Sequence, residues 1–300
     1  MQGVGNDLGS MFYGKIAMLI NALDHFVILV PDAEAAADQY GLLLGRECDW
    51  KHHNPTDGTT TAVFFLGNTS VELLGPSGDG PVGARIREIL GDKPGALTTL
   101  VFNTDDIHET HYSASRRGLR PEEIIGQSAT YNGLTRSWSR FRCGDPLFDD
   151  VKVFMLSNTE GVKVVIPPRA GAATRVDHIV LNTANPERTM AAYGAKLDLR
   201  LALDRTNEKW GARFIFFRTH DLTIEVVQRL DGSMSAEDKD HLWGVTYEVN
   251  DLDDAHTRLT VAGVQVSEVR KGRKAGTRVM SVKSHDLGIP TLLLDNKGER

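Results

Sequence analysis

A repeated pattern of strand residues limits the folds that this chain can adopt. The stretch LDHFVIL at residues 23–29 returns as VDHIVL at residues 176–181. The same spacing of 153 residues (178 − 25) joins three pairs, which are His25 with His178, Tyr40 with Tyr193, and Glu72 with Glu225. Three matches without a gap indicate an internal duplication, so the chain builds one kind of unit more than once.

The first unit reads as β-α-β-β-β. Residues 22–30 are apolar and β-branched, and Pro31 ends this predicted strand. Asp32 can cap the alanine-rich helix that follows it. A short strand is predicted at 46–51, and strands at 61–66 and 70–74 are joined by Gly67-Asn68, a turn pair typical of a hairpin.

A second unit follows a glycine-rich linker that contains a short helix. Its predicted elements are a strand at 97–102, a helix at 107–117, and strands at 135–142, 151–156 and 161–166. Leu97, Asp106, His111 and Gly118 are repeated 145 residues later (242 − 97), at Leu242, Asp251, His256 and Gly263. The chain therefore reads as four modules in the order A, B, A′, B′. This predicts an α+β fold with two domains, at 19–170 and 171–300, after a flexible tail at 1–18.

Charge and cysteine content narrow the functional classes. A formal net charge of −6 without a Lys/Arg block argues against a nucleic-acid partner. The apolar run at 12–23 is too short to span a membrane, so no membrane partner is expected. Cys48 and Cys143 form neither a disulfide framework nor a CxxC pair, which favours a cytoplasmic protein. A small-molecule substrate is the expected partner, and open sheet edges leave room for a homodimer.

The motifs LDHFVILVPD at 23–32 and TSVELLGP at 69–76 resemble the vicinal oxygen chelate superfamily, which includes glyoxalases, bleomycin-resistance proteins and extradiol dioxygenases. NTDDIHETHYSASRRGL at 103–119 and YEVNDLDDAHTRLTVAGV at 247–264 resemble the second module of the same superfamily. The resemblance implies cupped mixed β-sheets with helices on their outer faces. It also implies a divalent metal ion inside the cup, with Fe, Mn, Zn, Ni or Co as candidates.

Residue by residue, the resemblance assigns the metal ligands His25 and Glu72 from module A, and His178 and Glu225 from module A′. Modules B and B′ depart from the family pattern at Thr99, Val165, Gly244 and Leu292. If A pairs with A′, the four residues form one complete set. If A pairs with B or B′, a third ligand must come from elsewhere, and His53 and His285 are the nearest candidates. Without a metal, each His–Glu pair is an inherited hydrogen-bonded pair.

The function implied by the resemblance is a metal-dependent lyase or isomerase acting on a small oxygenated substrate that chelates the metal. Glu72 or Glu225 would double as the general base, with the first domain favoured. Two alternatives remain open, which are an Fe(II) extradiol-type dioxygenase and a metal-free protein that sequesters a small molecule.

Alternation on one predicted strand places Arg136, Trp138, Arg140 and Arg142 on a single face. If this face lines the cup, Arg136, Trp138 and Arg140 would bind an anionic or aromatic substrate, with His53 and His285 as further contacts. The alternative is a solvated outer face.

Overall fold

Two eight-stranded mixed sheets make up the structure, a computed structural model that describes residues 19–161 and 163–298. Sheet order is β2-β3-β4-β1-β5-β8-β7-β6 in the first and β10-β11-β12-β9-β13-β16-β15-β14 in the second. Each sheet repeats the same order, so the internal duplication extends to the topology. The predicted flexible tail at 1–18 lies outside the described residues.

The first half of the chain contains strands β1 (Ala22–Leu29), β2 (Trp50–Asn54), β3 (Thr59–Phe65), β4 (Ser70–Pro76), β5 (Ala96–Asn103), β6 (Ile125–Tyr131), β7 (Leu134–Cys143) and β8 (Lys152–Glu160). Its helices are α1 (Ala33–Leu44), α2 (Pro81–Leu90) and α3 (Ile107–Arg116). The predicted cap is confirmed, because the Asp32 carboxylate accepts hydrogen bonds from the backbone N–H groups of Glu34 and Ala35.

The second half contains strands β9 (Ala173–Asn182), β10 (Arg200–Asn207), β11 (Ala212–Thr219), β12 (Leu222–Arg229), β13 (His241–Val249), β14 (Arg270–Lys271), β15 (Arg278–Val282) and β16 (Thr291–Asp295). Its helices are α4 (Pro186–Thr189), which continues as a π-helix over Met190–Lys196, and α5 (Leu252–Val261). None of the helices in the described ranges has the length and apolar character needed to traverse a bilayer.

Module A pairs with module B in the first sheet. Strand β1 runs parallel to β4 and antiparallel to β5, with His25 opposite Ser70 on one side and Val101 on the other. Module A′ pairs with B′ in the same manner, with His178 opposite Thr223 and Thr246. The pairing of A with A′, which would have joined all four repeated residues, does not occur in the described part of the chain.

Module B departs from its predicted strands in two places. The strand predicted at 161–166 is wrong, because its described residues are coil and β8 ends at Glu160. Strand β6 was not predicted, since its sequence IGQSATY has little apolar alternation. In the observed register Glu72 lies opposite Val27, and Phe154 lies opposite the corresponding Val101. The position equivalent to Glu72 is therefore Phe154 and not Val165.

A shared hydrophobic core joins the two halves. One buried cluster contains residues of both sheets, including Phe26, Phe102, Ile179 and Val245. The hydroxyl of Tyr40 on α1 lies 2.6 Å from that of Tyr247 on β13, and both side chains are fully buried. Aromatic burial with a satisfied hydroxyl pair fixes the two halves against each other.

Candidate active site in the first sheet

The concave face of the first sheet encloses a cavity of about 670 Å³. The edge strands β2 and β6 approach each other, and the rings of Trp50 and Tyr131 lie 5.7 Å apart there. Five predicted residues line this cavity, which are His25, Glu72, Arg136, Trp138 and Arg140. The alternative of a solvated outer face for the β7 residues is therefore not what the structure shows.

His25 is held between two carboxylates at the wall of this cavity. Its Nδ1 lies 2.8 Å from Asp24 Oδ1, and its Nε2 lies 3.4 Å from Glu72 Oε2. An ionised carboxylate can only accept a hydrogen bond, so Nδ1 donates to Asp24 and Nε2 is directed at Glu72. The three side chains form a continuous row of polar groups at the cavity wall, which we call the relay.

Asp24 keeps its charge within this relay. Burial alone would raise the pKa of its carboxyl group, but the hydrogen bond from His25 and the charges of His25 and Lys163 hold that pKa well below its usual value. Lys163 Nζ lies 3.4 Å from Asp24 Oδ2. Neither residue was predicted, although the Asp-His pair recurs at Asp177-His178 and was a visible signal for Asp24.

The depressed pKa of Asp24 gives a prediction about acid stability. Its contribution to stability is fully present above the unfolded-state pKa of about 4 and is lost as pH falls through the lower folded-state pKa. We expect Asp24→Asn to flatten the decline of the unfolding free energy between about pH 4 and 2, measured by urea denaturation. Asp79→Asn, an exposed control, should keep the wild-type slope, and an unchanged slope in Asp24→Asn would contradict this account.

Arg136 faces the relay from β7. Its guanidinium carbon lies 5.6 Å from the ring centroid of Trp50 and 5.3 Å from that of Phe65. Burial lowers the pKa of this guanidinium, and the nearby carboxylates of Asp24 and Glu72 oppose that shift. Its Nη2 donates a 3.5 Å hydrogen bond to Asn158 Oδ1. The two rings and Asn158 position a cation whose remaining N–H groups can bind an anionic ligand.

Arg140 occupies a second position on the same strand. Its Nε donates a 2.7 Å hydrogen bond to Gln127 Oε1, and its guanidinium carbon lies 5.1 Å from the ring centroid of Phe154. Arg140 is thus oriented by strand β6, which the sequence did not reveal. Together Arg136 and Arg140 make the wall opposite the carboxylates cationic.

The two other predicted histidines lie outside this cavity. His53 is exposed and its Nδ1 interacts with the hydroxyls of Thr60 and Ser77, whereas its neighbour His52 lines the cavity. Strand alternation separates the two side chains, and the residue that sequence reasoning missed is His52. His285 lies in the second half, where its Nδ1 forms a 3.0 Å hydrogen bond with the hydroxyl of Ser284. Leu287, two residues later, packs against Gly95 of the first half. Neither predicted histidine is near His25 and Glu72.

The second sheet repeats the relay with a different neighbour. His178 Nδ1 lies 2.7 Å from Asp177 Oδ2, and its Nε2 lies 3.2 Å from Glu225 Oε2. Here the hydroxyl of Thr246 lies 2.8 Å from the same Nε2, where the first sheet has Val101. The hydroxyl therefore competes with Glu225 for the imidazole nitrogen, and Val101 at the equivalent position of the first sheet has no such group.

The donor set tests the metal expectation. The four family positions in the first sheet are filled by His25, Glu72, Thr99 and Phe154, of which two supply metal ligands. Within residues 19–161 and 163–298, no group of three or more His, Cys, Asp or Glu side chains is placed to hold an ion. Because a metal site generally needs three protein ligands, the residues present do not fit a resident divalent metal.

Family comparisons agree with this fold. Residues 23–175 match the family described as "Glyoxalase-like domain", and residues 177–280 match "Glyoxalase/Bleomycin resistance protein/Dioxygenase superfamily". The chain belongs to the glyoxalase-like vicinal oxygen chelate superfamily, and the resemblance stated from its motifs is confirmed.

Curated relatives are similar over part of the chain. An ethylmalonyl-CoA/methylmalonyl-CoA epimerase of Cereibacter sphaeroides is 36% identical over 103 residues, covering 34% of this chain and 75% of the relative. A mitochondrial methylmalonyl-CoA epimerase of Dictyostelium discoideum is 32% identical, covering 41% of this chain and 74% of the relative. Both relatives are isomerases by name, and each alignment covers less than half of this chain.

Solved structures are similar over nearly the whole chain. A mutant of 4-hydroxymandelate synthase from Streptomyces coelicolor gives a TM-score of 0.65 at 15% identity, covering 94% of both chains. An Mn(II)-bound glyoxalase from Novosphingobium aromaticivorans gives 0.60 at 14% identity, covering 93% of this chain and 83% of that one. At such identities the likeness shows the shared two-sheet fold.

Proposed function

We propose that this protein is an isomerase of the epimerase type that moves a proton at a carbon next to a carbonyl group. The observation that carries the proposal is the Asp24–His25–Glu72 relay, which lies on the wall of a cavity of about 670 Å³ whose opposite wall carries Arg136 and Arg140. A base facing fixed cations suits removal of a proton that leaves an anion behind. The names of the curated relatives support the same reaction class.

In this proposal Glu72 is the general base. Its carboxylate takes the proton from the substrate carbon, and the bonding electrons move to the carbonyl oxygen to give an enolate. His25 Nε2, 3.4 Å away, shares the proton taken by Glu72, while Asp24 holds the ring in place. Water in the cavity then gives a proton to the planar carbon from the opposite face, and the hydroxide left behind takes the proton from Glu72. The centre is thereby inverted, and the carbon carries a solvent proton.

Arg136 stabilises the enolate oxygen. It is fixed between Trp50 and Phe65 before the substrate arrives, so little reorganisation is needed when negative charge develops. Its charge also compensates the carboxylates of the relay, as their influence on its pKa indicates. Lys163, bonded to Asp24 and 5.6 Å from the centroid of Phe65, adds positive charge at the same end.

The test is an epimerisation assay with purified protein. Enantiopure 2-methyl-branched and 2-ethyl-branched acyl thioesters, including methylmalonyl-CoA and ethylmalonyl-CoA, are incubated with the chain and resolved by chiral chromatography. We expect conversion to the racemate for at least one of them. Absence of conversion for the whole series, with cavity binding retained, would instead favour a metal-free sequestering protein, which the aromatic and cationic lining also suits.

Metal dependence is tested separately. The two donors His25 and Glu72 lead us to expect fewer than about 0.2 divalent ions per chain in protein purified without chelators. Added Mn, Fe, Co, Ni or Zn should leave the epimerisation rate unchanged, as measured by elemental analysis and activity. Near-stoichiometric metal, with activity lost on chelation and restored by one ion, would contradict the donor-set argument. Oxygen consumption with catechols would support the dioxygenase alternative.

A further inference from the structure

Lys152 is a cation of the cavity for which the described residues supply no partner. It lies opposite Thr99 in the register of β8 with β5, is partly buried, and lines the cavity. Within the described ranges it forms neither a hydrogen bond nor an ion pair, whereas Arg140 bonds Gln127 and Lys163 bonds Asp24. Partial burial without a partner is unfavourable for a charge, and an anionic ligand in the cavity would supply the missing partner.

Two arginines reinforce the positive charge around Lys152. Arg142 lies opposite Phe154 on the neighbouring strand, which places it diagonally beside Lys152, and Arg85 enters the cavity wall from α2. Their partners Glu122 and Glu88 have side chains that are 54% and 68% exposed, so these ion pairs are weak. Burial, followed by the charges of Arg142 and Arg85, lowers the pKa of the Lys152 ammonium group.

The position of Lys152 relative to the relay defines the shape of a ligand. Glu72, Val27, Thr99 and Lys152 follow one another across four adjacent strands. With strands about 4.8 Å apart, this row spans at most about 14 Å between Cα atoms, and inward side chains shorten that distance. Val27, Leu29, Ile86 and Ile89 make the adjoining wall apolar. A ligand that spans the row would have an apolar middle and an anionic end.

We propose that Lys152, supported by Arg142 and Arg85, binds an anionic group, either a carboxylate or a phosphate, at the end of the substrate remote from the carbon that faces Glu72. This deepens the proposed function, because it adds a substrate class to the same cavity. The binding site itself is independent of turnover. Its removal therefore has a readout that does not require the substrate to be identified.

The experiment is isothermal titration calorimetry of the full chain with inorganic phosphate and, separately, with acetate. We expect one saturable site for at least one anion, weakened about 10-fold or more by Lys152→Gln and retained by Lys152→Arg. Lys239→Gln, which removes an exposed lysine of the second half, is the charge-matched control and should bind as wild type. Binding of phosphate alone, acetate alone or both identifies the anionic group.

Two results would overturn the inference. One is the absence of saturable binding of either anion, and the other is binding that Lys152→Gln leaves unchanged. Glu72→Gln separates this inference from the proposed function, because it should lower the epimerisation rate about 10²- to 10⁴-fold and still bind the anion. Anion binding without epimerisation in the wild type would contradict the proposed reaction and leave the Lys152 site intact.

Discussion

Replacing Glu72 with Gln should lower the epimerisation rate about 10²- to 10⁴-fold, the usual contribution of a positioned general base. The amide preserves the size of the side chain but cannot take up a proton, so His25 Nε2 loses its acidic partner. The measurement is kcat and KM on the substrate found by the chiral assay. We expect the loss in kcat, with KM changed much less, because the base acts on the bound substrate.

The matched comparison is Glu225→Gln in the second sheet. Glu225 has the same relation to His178, but Thr246 competes for the imidazole there, so we expect the rate to stay within about twofold of wild type. Loss of activity in Glu225→Gln with Glu72→Gln active would move the reaction to the second sheet. Circular dichroism of both variants checks that each fold is intact.

Tyr247→Ala should lower the free energy of unfolding by about 3–5 kcal/mol, as large aromatic truncations in cores do. The ring is fully buried in the core common to both sheets, and its removal leaves the Tyr40 hydroxyl without its partner at 2.6 Å. Guanidinium denaturation followed by fluorescence and circular dichroism measures the change. Because one core joins the halves, we expect a single transition in wild type and variant.

Tyr112→Ala is the control for this prediction. Tyr112 lies on α3 with 64% of its surface exposed, so its removal should change stability by less than about 0.5 kcal/mol. A loss under about 1 kcal/mol in Tyr247→Ala would contradict this stability prediction. Two separate transitions in the wild-type protein would show that the halves unfold independently. That outcome would support the domains predicted at 19–170 and 171–300 as separate folding units.

The internal duplication made most of the fold predictable from the sequence. His25, Tyr40 and Glu72 and their repeats lie in rigid strands and a helix, where a fixed spacing survives duplication. Strand alternation then predicted that Arg136, Trp138 and Arg140 share a face. Whether that face lines the cavity or faces solvent depends on the curvature of the sheet. This curvature arises from tertiary packing of β2 against β6, which no local sequence pattern indicates.

Other features of the site depend on register between distant strands. Phe154, and not Val165, occupies the position equivalent to Glu72. The last strand of module B is β8, which ends at Glu160, and the polar strand β6 before β7 was not predicted. The sequence analysis named His53, whereas His52 lines the cavity. The two differ by one residue, and a shift of one residue places a side chain on the opposite face of a strand. The functional importance of Lys152 and Lys163 could be inferred only from their position at the cavity, since an isolated lysine in a sequence usually marks a solvated surface.

In the proposed reaction, the first sheet exchanges a proton on its substrate through Glu72. The direct measurement is incorporation of deuterium at the substrate carbon in D₂O, followed by proton NMR with catalytic amounts of wild-type protein, Glu72→Gln and Glu225→Gln. We expect loss of that proton signal with wild type and Glu225→Gln, and a persistent signal with Glu72→Gln. Exchange that continues undiminished in Glu72→Gln would contradict the proposed reaction.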